Sequence, residues 1–166
     1  MEATEKKSQE TIMAKTVRLA ILLSAACVLS ISCERAAILH VYRHTPSEGW
    51  EQSDVLTYNV DTIRHTGDYA FNVGVRTTNA YPYKKLWVIV EKQLSNPLLS
   101  EADTLVCNFV NSEEDRDGWG TNTYQYIFSL GKIHLEEGQT GKISIRHIMR
   151  REILPGVSDI GIKISH

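Results

Sequence analysis

The sequence predicts an all-β protein: a single antiparallel β-sandwich, jelly-roll-like, of about eight strands. Period-two alternation of apolar and polar residues dominates the chain beyond its N-terminal region. Turn-forming clusters recur between the alternating segments, at "HTGD", "EDRDGWG", "EEGQTG" and "LPGVSD". No long window after the N-terminal region carries a helical stripe, and the best helical candidate, "SNPLLSEAD", is short and holds Pro97. Short strands separated by turn signals suit a sandwich or jelly roll.

In chain order, "VLTYNV" (55–60) is the first strand candidate of the domain. In "YAFNVGVRT", Tyr69, Phe71, Val73 and Val75 share one face, and Ala70, Asn72, Gly74 and Arg76 share the other. "LWVIVEK" (86–92) begins apolar throughout, which predicts a central strand buried on both faces. "DTLVCNFV" (103–110) follows, with Cys107 alternating with Leu105 and Phe109 and therefore read as a small buried hydrophobe. "TYQYIFSL" aligns Tyr124, Tyr126, Phe128 and Leu130; "KISIRHIM" (142–149) and "DIGIKIS", with Ile160, Ile162 and Ile164, complete the set. The pattern leaves strand order open.

The N-terminus has a different character. "MEATEKKSQETIMAKTVR" is polar, with Lys6, Lys7, Lys15 and Arg18, and is followed by "LAILLSAACVLSIS". That apolar run is short of the roughly 20 residues a spanning helix needs. A basic flank, a short apolar centre and small residues at its end read as a cleaved signal peptide over residues 1–32. Met13 opens an equally well-formed signal, which would put residues 1–12 upstream of the true start. The small residues run into Cys33, an arrangement resembling a bacterial lipobox, although Ser30 stands where Leu is usual. Cys27 interrupts the apolar run instead of ending it. The expected organisation is therefore signal peptide 1–32, lipidated N-terminus and tether 33–45, and β-sandwich 46–166, with a covalent lipid on Cys33 and no other cofactor. Cys107 is then the remaining thiol and cannot form an internal disulfide.

The formal net charge of −2 shows no basic excess and argues against nucleic acid as a partner. Glu113, Asp115 and Asp117 mimic the start of a calcium loop, but the twelfth position falls on Tyr124 instead of a bidentate Glu, so the segment reads as a solvated turn. His40 and His44 would lie about 13 Å apart in an extended chain, and no acidic or thiol partner stands at zinc-like spacing, so no metal site is expected. No G-x-S-x-G elbow or Cys–His signature is present, and the chain is read as non-enzymatic.

Three stretches remain as a candidate partner or ligand surface. "RHIMRRE" gathers Arg146, His147, Arg150 and Arg151, suited to an anionic ligand or lipid headgroups, or else to a solvated edge with a cross-strand partner such as Asp159. Tyr81-Pro82-Tyr83 leaves a strand and is followed by Lys84 and Lys85; Tyr81 either joins that contact surface or plugs the end of the sandwich. Trp119, between two glycines, is the tryptophan expected to be exposed, and with Tyr81 it frames the alternative of a carbohydrate-binding lipoprotein.

Four blocks, "EGWEQSDVLTYNV", "GVRTTNAYPYKKLWVIVE", "DGWGTNTYQY" and "RHIMRREILPGVSDIGIKI", together resemble the gliding-motility lipoprotein GldH family of the Bacteroidetes. Glu48, Trp50, Arg76, Thr77, Asn79, Tyr81, Pro82, Trp87, Arg150 and Gly156 stand in those blocks. The resemblance implies a membrane-anchored accessory component of an envelope motility or secretion assembly, with no catalytic residue to carry over. Family members also occur in non-gliding bacteria of the phylum. Surface-exported lipoproteins of that phylum often carry an acidic cluster after the lipidated Cys. Glu34 is instead followed by Arg35, which points to an outer-membrane anchor facing the periplasm.

Overall fold

A computed structural model describes residues 37–110, 118, 120 and 122–166. The predicted signal peptide, Cys33, Trp119 and the acidic stretch 113–117 lie outside the described residues. The described chain forms β1 (Ala37–His44), β2 (Trp50–Glu51), β3 (Leu56–Val60), β4 (Gly67–Thr78) and β5 (Lys85–Ser95). These are followed by β6 (Leu99–Asn108), β7 (Thr123–Leu135), β8 (Thr140–His147), β9 (Ile153–Leu154) and β10 (Val157–Ser165). The all-β sandwich expected from the alternation is what the chain forms, with ten strands in place of eight; the two extra, β2 and β9, are each two residues long.

Strand order is β1-β10-β4-β7 in one four-stranded sheet and β3-β8-β5-β6 in the other, with β2 paired to β9. Every pairing is antiparallel. Counting only the eight longer strands, these are the two sheets of a jelly roll. The β1/β10 ribbon continues through β2/β9 into β3/β8, so the two-residue ladder sits where the double strand passes from one sheet to the other. Trp50 and Leu154 are opposite each other in that ladder and both are fully buried.

Inward rows from both sheets make the core: Tyr69, Phe71, Val73 and Val75 on β4, Ile160, Ile162 and Ile164 on β10, Leu86, Val88 and Val90 on β5, and Ile143 and Ile145 on β8. Cys107 is buried among them, and burial pushes its thiol up to about 12, so it stays protonated and unreactive at neutral pH. On β7 the inward row changes phase: Tyr126 is buried, then Ile133 and Leu135. A bulge causes the change, because Phe71 pairs with Gly131 and Asn72 with Ser129, leaving Leu130 extra.

Two expectations need adjusting. β1 covers Ala37–His44, so most of the segment read as tether (33–45) contributes an edge strand paired with β10. β5 is buried on one face only: Trp87, between buried Leu86 and Val88, is 43% exposed, because nothing among the described residues covers the outer face of its sheet.

Candidate functional site

The antiparallel order puts the 45–55, 79–84 and 148–156 connections at one end of the sandwich, with Phe109 and Val110 leaving β6 there. Ala37 and Ser165 pair at the other. The sequence-predicted residues Tyr81, Tyr83, Lys84, Lys85, Arg150 and Arg151 all fall at that first end, though they do not all face solvent.

Tyr81 is a plug. It is 1% exposed, donates its hydroxyl to the Lys85 carbonyl at 2.9 Å, and meets Tyr83 and Phe109 edge-on, with ring centroids 5.6 and 5.3 Å away. Burial raises its pKa. Pro82 turns the chain, and Gly156 lies against the Ala80–Tyr81 backbone so closely that a Cβ there would collide with it. Tyr81 therefore leaves the contact surface, and with it goes half the aromatic support for glycan binding.

Tyr83, half-buried, stands between two recesses. One, of about 220 Å³, has Tyr81, Pro82, Lys84 and Phe109 among its lining. The other, of about 410 Å³, is lined by Tyr83, Trp87, Ile148, Met149, Arg150 and Arg151. Sequence reasoning missed Trp87 because its neighbours on β5 are all apolar. Strict alternation with Leu86 and Val88 was the available signal for an outward side chain.

The arch 148–152 that carries the arginines is tied down from below. Ile148 donates its N–H to the Trp87 carbonyl at 2.9 Å, and Gln52 donates its own to the Glu152 carbonyl at 2.8 Å. Under the arch, fully buried His147 packs edge-on to Trp50, centroids 5.1 Å apart, with Nε2 donating to the Trp50 carbonyl at 3.1 Å. The Trp50 indole in turn donates to the Asp54 carbonyl at 3.0 Å. Burial lowers the His147 pKa and outweighs the opposing effect of the Trp50 and Glu152 carbonyls near the ring. His147 is thus a neutral structural residue and drops out of the basic cluster in which its sequence neighbours had placed it.

Arg146 also leaves the cluster, with Nε 3.7 Å from a Glu91 carboxylate oxygen. Arg150 and Arg151 are exposed and, among the described residues, have no ion-pair partner. Asp159, the cross-strand partner considered for them, is instead beside His44, at 2.5 Å, on the outer face of the first sheet. Lys85 is exposed at the start of β5. Among the described residues no group of His, Cys, Asp and Glu could hold a metal ion. The described site is thus an aromatic and aliphatic recess edged by two guanidinium groups.

The family model described as GldH lipoprotein matches residues 37–164, from the first residue of β1 into β10. The gliding motility lipoprotein GldH of Flavobacterium johnsoniae is 24% identical over 150 residues, covering 86% of this chain and 93% of the relative. A GldH homolog of Christiangramia forsetii is 23% identical over 146 residues, covering 82% and 88%. Among solved structures, a family 35 carbohydrate-binding module from Clostridium thermocellum is similar at a TM-score of 0.35 and 14% identity, over 77% of this chain and 92% of that one. That likeness is too low to argue from. The match over nearly the whole described domain is decisive: the chain belongs to the GldH lipoprotein family.

Proposed function

We propose that this protein is a lipid-anchored, non-catalytic interaction subunit of an envelope assembly that serves gliding motility or an associated secretion apparatus. Its anchor is Cys33, lipidated after removal of residues 1–32, in the outer membrane and facing the periplasm. One observation carries the reading beyond family membership: β1 begins at Ala37, close behind Cys33, while the recess of Tyr83, Trp87, Arg150 and Arg151 lies at the opposite end of the sandwich. An anchor at one end leaves the other end presented to partners.

Two measurements on native membranes test this. The mature N-terminal peptide is expected to begin at acylated Cys33; an unmodified cleaved end or an intact residue 1–32 segment would remove the anchor. Purification from the native envelope is expected to recover the same partner proteins in every preparation, and repeated recovery of none would remove the interaction role.

A further inference from the structure

We propose that the recess between Tyr83, Trp87 and the 148–151 arch receives an extended, carboxylate-bearing segment of a partner protein. An apolar side chain of that segment rests on Trp87, and its acidic groups pair with Arg150 and Arg151. The proposal rests on the reading of this chain as an interaction subunit and adds the chemistry of the partner.

Charge complementarity comes first. In a chain of formal net charge −2, Arg76 bonds Gln125 at 3.0 Å, Arg146 faces Glu91, and Lys92 bridges Glu101 and Asp103. Arg150 and Arg151, adjacent on a fixed arch, have no such partner among the described residues. A guanidinium takes a carboxylate through two parallel hydrogen bonds, and carboxylates are the anions an unmodified polypeptide carries on its side chains. Beside them Trp87 exposes 43% of its surface, while its strand neighbours Leu86 and Val88 are fully buried. Tryptophan and arginine around a preformed pocket are the residues that carry binding energy in protein interfaces.

Two other occupants fit less well. Lipid close to where the chain enters the sandwich is one: Ala37 and the recess lie at opposite ends of the sandwich, separated by the length of the eight-residue strand β1, about 26 Å. A sugar is usually oriented by carboxylate and carboxamide side chains around an aromatic platform, and the described residues of the lining include none. Ile148 and Met149 instead offer an aliphatic wall of the adaptable kind that accepts protein side chains. The arch is already hydrogen-bonded to Trp87 and Gln52, so little ordering is needed on binding.

The test is photo-crosslinking in the native envelope, with the full lipoprotein carrying a benzoylphenylalanine at position 83 in place of Tyr83, which keeps an aromatic ring and leaves Trp87 and both arginines intact. The expected result is a discrete protein adduct whose crosslinked peptide contains Asp or Glu. Its yield falls at least about tenfold when Arg150→Ser and Arg151→Ser are added, and is unchanged by Lys163→Ser on β10. An adduct peptide without acidic residues, a yield indifferent to the arginines, or an adduct to lipid or glycan overturns the proposal. If partners still co-purify but no adduct forms at position 83, the recess proposal fails and the assembly reading stands. If the unmodified chain recovers no partner at all, the assembly reading fails and takes the proposal with it.

Discussion

The ring of Tyr42 covers Gly74, a residue two strands away on the outer face of the first sheet. Register lines up Tyr42, Gly161 and Gly74 across β1, β10 and β4. A Cβ on either glycine would run into the ring, at 2.6 Å in the case of Gly161. The Arg76 guanidinium lies 4.1 Å from the ring centroid on the same face. Among the described strands the edge strand β1 pairs only with β10, and most of its side chains are exposed. Tyr42 therefore adds a hold that reaches past the immediate neighbour. That hold matters because β1 is the element through which the proposed anchor would pull.

Gly74→Ala should cost about 1–3 kcal/mol by forcing Tyr42 aside. In a Tyr42→Ala background the same change should cost nothing, or stabilise slightly, because alanine is the better strand residue once the ring is gone. Denaturant unfolding of the four proteins of this cycle checks it. Additive effects of the two substitutions would show that the ring and the glycine do not interact.

His147 should make stability fall in mild acid. Its pKa in the folded state is lowered, so on acidification the unfolded chain takes up a proton at its ordinary value near 6.5 while the folded chain does not. Stability is thus complete above about pH 7. It declines as pH drops through 6.5 toward the lower folded value, by at most about 1.4 kcal/mol per pH unit. His147→Gln keeps a donor for the Trp50 carbonyl and removes the titration. The difference in unfolding free energy between the two proteins should therefore narrow from pH 8 to pH 5.5; a constant difference would refute the assignment.

Elements were legible in the sequence in proportion to how one-sided their burial is. β4 and β10 show clean alternation because one face meets the core and the other carries small or polar residues, such as Asn72, Gly74, Arg76, Gly161 and Lys163, on the outside of the sheet. β1 did not, since as an edge strand it leaves even Leu39 and Tyr42 only partly buried, and so "AILHVYRH" read as tether. β2 and β9 are too short for any period to register. The bulge at Leu130 shifts the phase of β7 midway, and its signal in the sequence is a single residue, Gly131 inside the strand, at φ +94. At the site, Tyr83 and the two arginines were visible as residue types. Their meeting depends on which connections share an end of the jelly roll, a long-range fact that local patterns do not hold. Trp87 was masked by apolar neighbours, and Tyr81 by an exposed Pro82.

Gly156→Ala should be among the most damaging single changes at the recess end. Gly156 has φ +76, a left-handed backbone that costs an ordinary residue about 1–2 kcal/mol, and an added Cβ would meet backbone atoms of Ala80 and Tyr81, which cannot swing away. Its carbonyl also accepts the Thr78 N–H at 2.8 Å. A loss of about 2–4 kcal/mol is expected. Tyr81→Phe, which removes the hydroxyl and its bond to the Lys85 carbonyl while keeping the ring, should cost about 1 kcal/mol. Thermal unfolding of both variants orders the two effects, and the reverse order would mean that the hydroxyl, not the backbone approach, holds this end.

Lys92 interrupts the inward row of β5 between Val90 and Leu94, and is 7% exposed. Burial alone would lower its pKa. Hydrogen bonds and charge from Asp103 and Glu101, both at 2.8 Å, override that and hold it above the usual lysine value, so it is charged at neutral pH. Lys92→Met would leave the two carboxylates facing each other without a cation. Because both are about half exposed, the cost should be modest, about 1–2 kcal/mol. Replacing all three, with Glu101→Val and Asp103→Val added, should recover that loss, since the row then becomes apolar throughout. The triple variant should nonetheless self-associate, because β6 is an edge strand and charges aimed at the sandwich seam keep another sheet from adding to it. Light scattering at increasing concentration separates the outcomes: a stable triple variant that stays monomeric would show that the ion cluster serves packing alone.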